Sequence, residues 1–511
     1  MGVYAQNASQ VPISWTFRSL LIVFFLTAGL YLLLLWLWND AERAGFVSTL
    51  FLAWLFSGHV YRLLVEWSPF WRTAFGGLLA LLLISVPFGL LASGWIWKRI
   101  VHKKTITNFL NVVSVVLMAF PLLTIASILP EESRQIQALR MRQKEAELPV
   151  ATSSHLRPDI YVIIVDGYGR ADFLQNIYGY DNSEFINFLK GKGFYVADRA
   201  TSNYPQTELS LSSLLNFQYL DDYVSGFGDA SGRGPLRELL QHTRLRQFLE
   251  QDGYQFVALP SAALFAQMRD ADVYVHLTPS NINEFEGLLA ASSVVGVAVE
   301  AWGVNLPVQS YELHRRYILF SLETLKDVPE IAGPKFVFAH ILSPHPPFIF
   351  DGSGNFITPD APYSSWDASL FPGSKEQYIQ GYTNQMIFIN QKLKDVINSI
   401  LDHSAQPPII ILQGDHGPGA HYDMLKLNDS CLAERYSILN AYYFPDGDYE
   451  SLYPEITPVN SFRVVLDQYF GVKLDVMADK SYFASWLSPY LFREVTDKVG
   501  LPCRASAISS P

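Results

Sequence analysis

Long apolar runs in the first quarter of this chain limit its possible folds more than any other feature. Residues 17–38 carry no charge after Arg18, and residues 75–97 and 106–129 carry none at all. At about 1.5 Å per helical residue, each run is long enough to cross the roughly 30 Å hydrocarbon core of a bilayer. A fourth run, residues 44–67, is interrupted by His59 and Arg62. An arginine near the bilayer centre costs roughly 2.5–3.5 kcal/mol on insertion scales, but the surrounding residues are apolar enough to count this run as well. Four spans are therefore expected within a transmembrane region, residues 1–130.

The apolar excess is local, and it raises the whole 511-residue chain to 50% hydrophobic residues and a mean hydropathy of +0.14. A cleaved signal peptide is disfavoured because the first run is too long, lacks a basic lead and is followed by further spans. Lys98, Arg99, Lys103 and Lys104 cluster between the 75–97 and 106–129 spans. Cationic loops stay cytoplasmic, so the amino terminus and everything after Leu129 are expected outside. Arg134, Arg140, Arg142 and Lys144 pull the other way, with Glu131, Glu132, Glu145 and Glu147 among them. Residues 131–157 read as a helical stalk or as a solvated linker. The net charge of −11 argues against nucleic acid, whose phosphate backbone calls for a basic stripe.

From about Pro158 the pattern changes to short, β-branched, continuously apolar runs at 159–165, 194–197, 254–259, 335–342 and 409–412. Such runs suit strands buried on both faces, and their spacing leaves room for crossover helices. Residues 158–475 are thus expected to form an α/β domain with a largely parallel sheet, followed by a carboxy-terminal extension, residues 476–511. The apolar stretch 288–304 suits a core helix or a surface helix that dips into lipid. Cys431 and Cys503 both fall in the outer portion, where an oxidising compartment permits a disulfide. Closing that loop would contribute about 4 kcal/mol in the chain-entropy picture, although two separate thiols fit the sequence nearly as well.

Two of the strands end in metal-ligand chemistry. One runs into Asp166-Gly167 and the other into Asp415-His416-Gly417. Asp and Gly are ordinary turn residues, but in open α/β sheets ligands gather beyond the carboxyl ends of strands. His340 and His345 fall at or just after a third strand end. A reacting hydroxyl is supplied by Thr207, which follows the Pro205 turn and opens a helical segment. Free N–H groups at a helix start favour a phosphate or sulfate group. Thr207 as a simple N-cap is the plainer alternative, and Ser202, Ser210 and Ser212 are rival hydroxyls. His421 is a second-rank catalytic candidate beside His340. Arg170 suits an anion seat or a surface salt bridge.

The order Asp166, Thr207, Asp415, His416 resembles the alkaline phosphatase and sulfatase superfamily. Within it, the membrane-anchored members, including lipoteichoic acid synthases and lipid A phosphoethanolamine transferases, are the nearest match, over roughly residues 158–472. The resemblance implies an extracytoplasmic sulfatase-like domain behind several membrane spans, at the cell membrane. It also implies one divalent metal held by Asp166, Thr207, Asp415 and His416. Manganese is the leading expectation for such a hard donor set, with magnesium, zinc or calcium as alternatives. His345, flanked by Pro344 and Pro346, resembles a family substrate histidine. The formylglycine sulfatase signature is absent around Thr207, and no Asp-x-x-x-His set accompanies the 335–342 strand. A standard sulfatase mechanism and a two-metal arrangement are therefore disfavoured.

The leading expectation is a transferase that moves a phospho-substituent from a membrane lipid, through Thr207, to a glycan or lipid acceptor. A phosphate or sulfate ester hydrolase of the same superfamily is the enzyme alternative. A catalytically silent membrane scaffold is the alternative from another class, and it is distinguished by metal content.

Overall fold

The computed structural model describes residues 2–7, 13–58, 60–61, 70, 74–92, 103–152, 157–277, 283–294, 296, 310–359 and 363–503. The chain divides into two compact units, Met1–Glu131 with Ser280–Ser310, and Glu132–Pro279 with Tyr311–Pro511.

The second unit is built on a seven-stranded sheet of order β2-β7-β6-β1-β5-β3-β4. Its centre is β1 (Ile160–Val165), flanked by β5 (Lys335–Ile341) and β6 (Ile409–Gln413), both parallel to it. Every residue of these three strands is buried, which is why each reads as an unbroken apolar run rather than an alternating one. Successive side chains still point to opposite faces. Tyr161, Ile163 and Val165 pack into a cluster with Met386, Leu393 and Ile397 of the helix Lys375–His403. Ile160, Val162 and Ile164 pack on the other side with Leu211 and Leu215 of the helix Thr207–Asn216, and with Phe462 and Leu466 of the helix Pro458–Phe470.

All five expected strands are present, including β2 (Tyr195–Val196) and β3 (Gln255–Ala258). The sequence reading did not anticipate β4 (Val273–Tyr274), β7 (Asn440–Tyr443) or the hairpin β8 (Tyr482–Ser485) and β9 (Ser488–Glu494). β7 pairs antiparallel with both β6 and β2, so it alone runs against the rest of a mostly parallel sheet. The hairpin brings Ala484 and Tyr490 into a third cluster with Tyr204, Leu209 and Leu139. Cys431 and Cys503 form a disulfide with their Cα atoms 4.8 Å apart.

Leu139 lies on the long helix Lys103–Glu145 and is fully buried. Two of the cations that opposed the expected topology also have partners in this unit. Arg140 pairs with Glu238 at 2.6 Å, and Arg142 donates to the carbonyls of Tyr223 and Ser225.

Among the described residues two helices are long and apolar enough to cross a membrane, Ile13–Trp38 and Lys104–Glu145; all of the one, and the other up to residue 131, belong to the first unit. Their most apolar windows are 0% and 6% buried, unlike the core helix of a soluble domain. Of the second and third expected spans, the helices Ala41–Leu55 and Ala74–Ala92 are described; residues 59, 62–67 and 93–97 of those spans lie outside the described residues. The expected apolar stretch 288–304 contributes to the helix Glu284–Ala291, which belongs to this unit; residues 295 and 297–304 lie outside the described residues. Phe285 packs with Tyr4 and Ile125, and Trp15, Ile128 and Leu129 join the same cluster. The start of the first long apolar helix and the apolar end of the last therefore lie together. Arg18 binds both carboxylate oxygens of Glu286, and the Asn283 amide donates to Trp15 O at 3.0 Å.

Candidate active site

Strand register determines which residues meet. Ile164 is level with Gln413 on one side and with His340 on the other. Asp166 and Asp415 therefore leave adjacent strands at the same height, two residues further on. The turns that follow depend on glycine. Gly167 has φ +74°, the left-handed region, and its N–H donates to Asp415 Oδ1 at 3.1 Å. A Cβ on Gly417 would fall 2.1 Å from the Glu434 carbonyl oxygen, so this turn closes only around a residue without a side chain.

Asp166, Asp415 and His416 are all buried, and their ligand atoms lie within 4.8 Å of one another. Asp166 Oδ1 and Asp415 Oδ2 are buried without a hydrogen bond. Such oxygens are costly unless something positive compensates them, and a divalent cation fits this need. The His416 Nδ1–H donates to the Gly417 carbonyl at 3.0 Å, so Nε2 presents a lone pair to the cluster, as a metal ligand must. Burial opposes ionisation of Asp166, yet the neighbouring His345, His340 and His416 hold its carboxyl well below the usual carboxylate range. Burial, reinforced by the Arg435 charge, pushes the His416 imidazole down.

Thr207 is the first residue of its helix, and Gln206 occupies the N-cap position. The hydroxyl is thus not the cap. Its Oγ1 lies 3.2 Å from His416 Nε2 and 3.4 Å from Asp166 Oδ2. The residues on either side are fixed by Arg233, which binds Gln206 Oε1 at 2.7 Å and pairs with Glu208. The rival hydroxyls are occupied elsewhere. Ser202 and Ser210 donate to Tyr204 O, and Ser212 donates to Leu236 O.

His340 and His345 reach the same place. His340 Nε2 is 3.3 Å from Asp166 Oδ2, and its Nδ1 is 2.9 Å from Ser261 Oγ. The His345 N–H donates to Asp166 O at 3.1 Å, and its ring centroid is 6.2 Å from that of His416. Burial works against the His345 imidazolium, but the charges of Asp166 and Asp367 hold its pKa above the ordinary histidine value. His421 is bound elsewhere: its N–H and Nδ1 meet Glu434 at 2.7 and 3.4 Å. Among the described residues, no hydrogen bond or ion pair links it to Asp166, Thr207 or His416. Arg170 pairs with Asp172 at 2.6 Å and donates to Ala200 O, which is the salt-bridge reading rather than an anion seat.

Sequence reasoning missed two site residues. Arg435 donates through Nε to Pro205 O at 2.8 Å and through Nη1 to Gly417 O at 3.2 Å, and Nη2 lies 3.1 Å from His416 Nε2. Its Nη1 also binds Asp367 Oδ2, which is 3.6 Å from His345 Nε2. The Asp367 Oδ1 accepts from Tyr378 OH at 2.6 Å.

Comparison with curated proteins finds no match. Among solved structures, the C-terminal periplasmic domain of EcEptC from Escherichia coli in complex with zinc is 12% identical. It covers 69% of this chain and 97% of that one, with a TM-score of 0.46. The integral membrane protein lipooligosaccharide phosphoethanolamine transferase A (EptA) from Neisseria meningitidis is 13% identical, covering 77% of this chain and 70% of its own, with a TM-score of 0.42. BT1596, a 2-O GAG sulfatase, is 14% identical over 63% of this chain and 72% of its own, with a TM-score of 0.38. The sulfatase family model matches residues 158–464, a stretch that contains β1, the Thr207 helix and the β6 end with its Asp-His pair; the chain belongs to the sulfatase family.

Proposed function

We propose that this chain is a membrane-anchored, metal-dependent transferase that moves a phospho-substituent from a lipid donor, through Thr207, to an extracytoplasmic glycan or lipid acceptor. One observation carries the reading: Thr207 Oγ1 stands at the start of a helix, 3.2 Å from His416 Nε2 and 3.4 Å from Asp166 Oδ2, beside two buried carboxylate oxygens without hydrogen bonds. Two unburied apolar helices among the described residues support the membrane anchor.

Asp166, Asp415, His416 and Thr207 would hold one divalent cation, manganese first, with magnesium, zinc or calcium as alternatives. Such a cation would lower the pKa of the Thr207 hydroxyl and offset charge on phosphoryl oxygens. With the His416 Nε2 lone pair committed to the cation, the acceptor in reach of the Thr207 proton is Asp166 Oδ2 at 3.4 Å, whose partner oxygen Oδ1 is the one without a hydrogen bond. Oγ1 then bonds to phosphorus as the phosphorus–oxygen bond to the lipid alcohol breaks. His345 Nε2 gives the departing oxygen its proton. In the second half the acceptor hydroxyl loses its proton to His345 Nε2 and attacks phosphorus as the phosphorus–Oγ1 bond breaks, and Thr207 Oγ1 takes its proton back from Asp166 Oδ2. The free N–H groups at the helix start orient the phosphoryl oxygens.

Thr207→Ala is expected to lower turnover roughly a thousandfold or more, with Thr207→Ser retaining part of it. Intact-mass measurement of the full chain incubated with phospholipid should find the phospho-adduct on Thr207. Full activity in Thr207→Ala refutes the covalent route. Capture of the group by water in preference to any added alcohol favours the ester hydrolase.

A further inference from the structure

Three loops of the second unit bring large apolar side chains into water beside the Thr207 site. Trp366 is 41% exposed, and its ring meets that of Trp486 edge-on, with centroids 5.6 Å apart. Trp366 is the chain neighbour of Asp367, whose carboxylate is 3.6 Å from His345 Nε2. The next residue, Ala368, has φ +53°, a left-handed conformation that residues other than glycine seldom adopt. Such backbone persists only where its surroundings enforce it. Here it accompanies a chain turn with Asp367 buried and Trp366 exposed.

Trp486 reaches the site from the other side. Arg233 Nη2 donates to Trp486 O at 3.1 Å and to Gln206 Oε1 at 2.7 Å, and Gln206 Nε2 donates to Ala484 O at 2.9 Å. Gln206 immediately precedes Thr207. The third loop is tied in by the Trp486 N–H, which donates to Met424 O at 2.9 Å. The residues that follow each partner, Leu487 and Leu425, are 62% and 38% exposed.

We propose that Trp366, Trp486, Leu425 and Leu487 form a lipid-contacting rim at the mouth of the site, which engages the bilayer surface and the acyl end of a lipid donor. Indole rings concentrate where apolar and wet surfaces meet. Exposed leucines beside them offer hydrocarbon rather than hydrogen-bonding surface, and a bilayer is the apolar surface that a chain with unburied apolar helices always meets. The inference rests on the reading of Thr207 as the reacting residue, because that is what makes this edge of the fold a mouth.

The test uses the full chain in nanodiscs of phosphatidylethanolamine and phosphatidylglycerol. Cys431 and Cys503 are paired, so Leu487→Cys supplies one labelling site for an environment-sensitive dye. Glu184→Cys is the water-exposed control, since that side chain is 90% exposed. The dye at 487 is expected to emit to the blue of the control and to be quenched by spin-labelled lipid more than by iodide. Emission and quenching equal to the control overturn the proposal. Trp366→Ala should also raise KM several-fold for a long-chain phospholipid donor while kcat is retained. An equal rise for a water-soluble diester, or a rise confined to a glycan acceptor, overturns it. The dye is read again in Thr207→Ala, so a failed covalent mechanism and a failed lipid rim give separate results.

Discussion

Asp367→Asn isolates the electrostatic support behind the site without changing its shape. Among the described residues, the buried Arg435 guanidinium has one counter-charge at contact, Asp367, and its other partners are the Pro205 and Gly417 carbonyls and His416 Nε2. Removing one member of a buried ion pair costs about 3–5 kcal/mol because the other charge is left uncompensated. An asparagine keeps an acceptor for Tyr378 OH or Arg435, so the lower end, about 3 kcal/mol, is expected, a little over two decades in the folded-to-unfolded ratio. Pulse proteolysis across a urea series reads that ratio in detergent. Arg435→Met alone should cost a comparable amount, since it leaves Asp367 buried and uncompensated. The double variant should lose about 2–3 kcal/mol less than the sum of the singles, the coupling expected for groups in direct contact. Strict additivity, or a cost of Asp367→Asn below about 1 kcal/mol, refutes the reasoning.

Burial pushes the His314 imidazole down to about 4, below the roughly 6.5 of an unfolded chain. The unfolded state therefore takes up a proton first as pH falls. Stability should drop by up to roughly 3 kcal/mol between pH 6.5 and 4 and level off below, and pulse proteolysis of His314→Gln should lack that limb. Gly417→Ala places its Cβ 2.1 Å from one backbone oxygen and 2.8 Å from another, and should destabilise by more than about 3 kcal/mol. Gly167→Ala has no atom nearer than 3.7 Å and pays only for its φ of +74°, about 1–2 kcal/mol; thermal melts of the two rank them. Reduction of the Cys431–Cys503 bond, which spans 72 residues, should lower stability by up to about 4 kcal/mol, read as a shift in the urea midpoint with and without reductant.

β1, β5 and β6 were legible because burial on both faces leaves an unbroken apolar run with a polar residue at the end. The same run points to Asp166, Asp415 and His416, since the carboxyl end of a buried strand is where a sheet presents ligands. β7 was hidden. Its four residues, Asn440–Tyr443, begin with a polar side chain and carry two tyrosines, and its antiparallel placement has no local signature. Asp367 and Arg435 were hidden for another reason. They are 68 positions apart, Asp367 just before the short turn Ala368–Leu370 and Arg435 in the five-residue helix Leu432–Tyr436, elements too short to show periodicity, and only the fold makes them a pair. His421 was a second-rank candidate beside His340, but the chain turns it toward Glu434.

The assignment of Ser280–Ser310 to the same unit as Met1–Glu131 has a consequence for biogenesis. The polypeptide passes between its two units three times, at 131–132, 279–280 and 310–311. β5 emerges only after the third passage, yet it sits between β1 and β3, which are both made before the second. The central sheet therefore cannot zip shut in order of synthesis. It must wait with a gap while the 280–310 excursion is threaded back to helices translated far earlier. A fragment cut at Glu132 to make a soluble enzyme would carry the same excursion without its partners, leaving Phe285 and Leu289 stripped of Tyr4, Trp15 and Ile125 and prone to self-association.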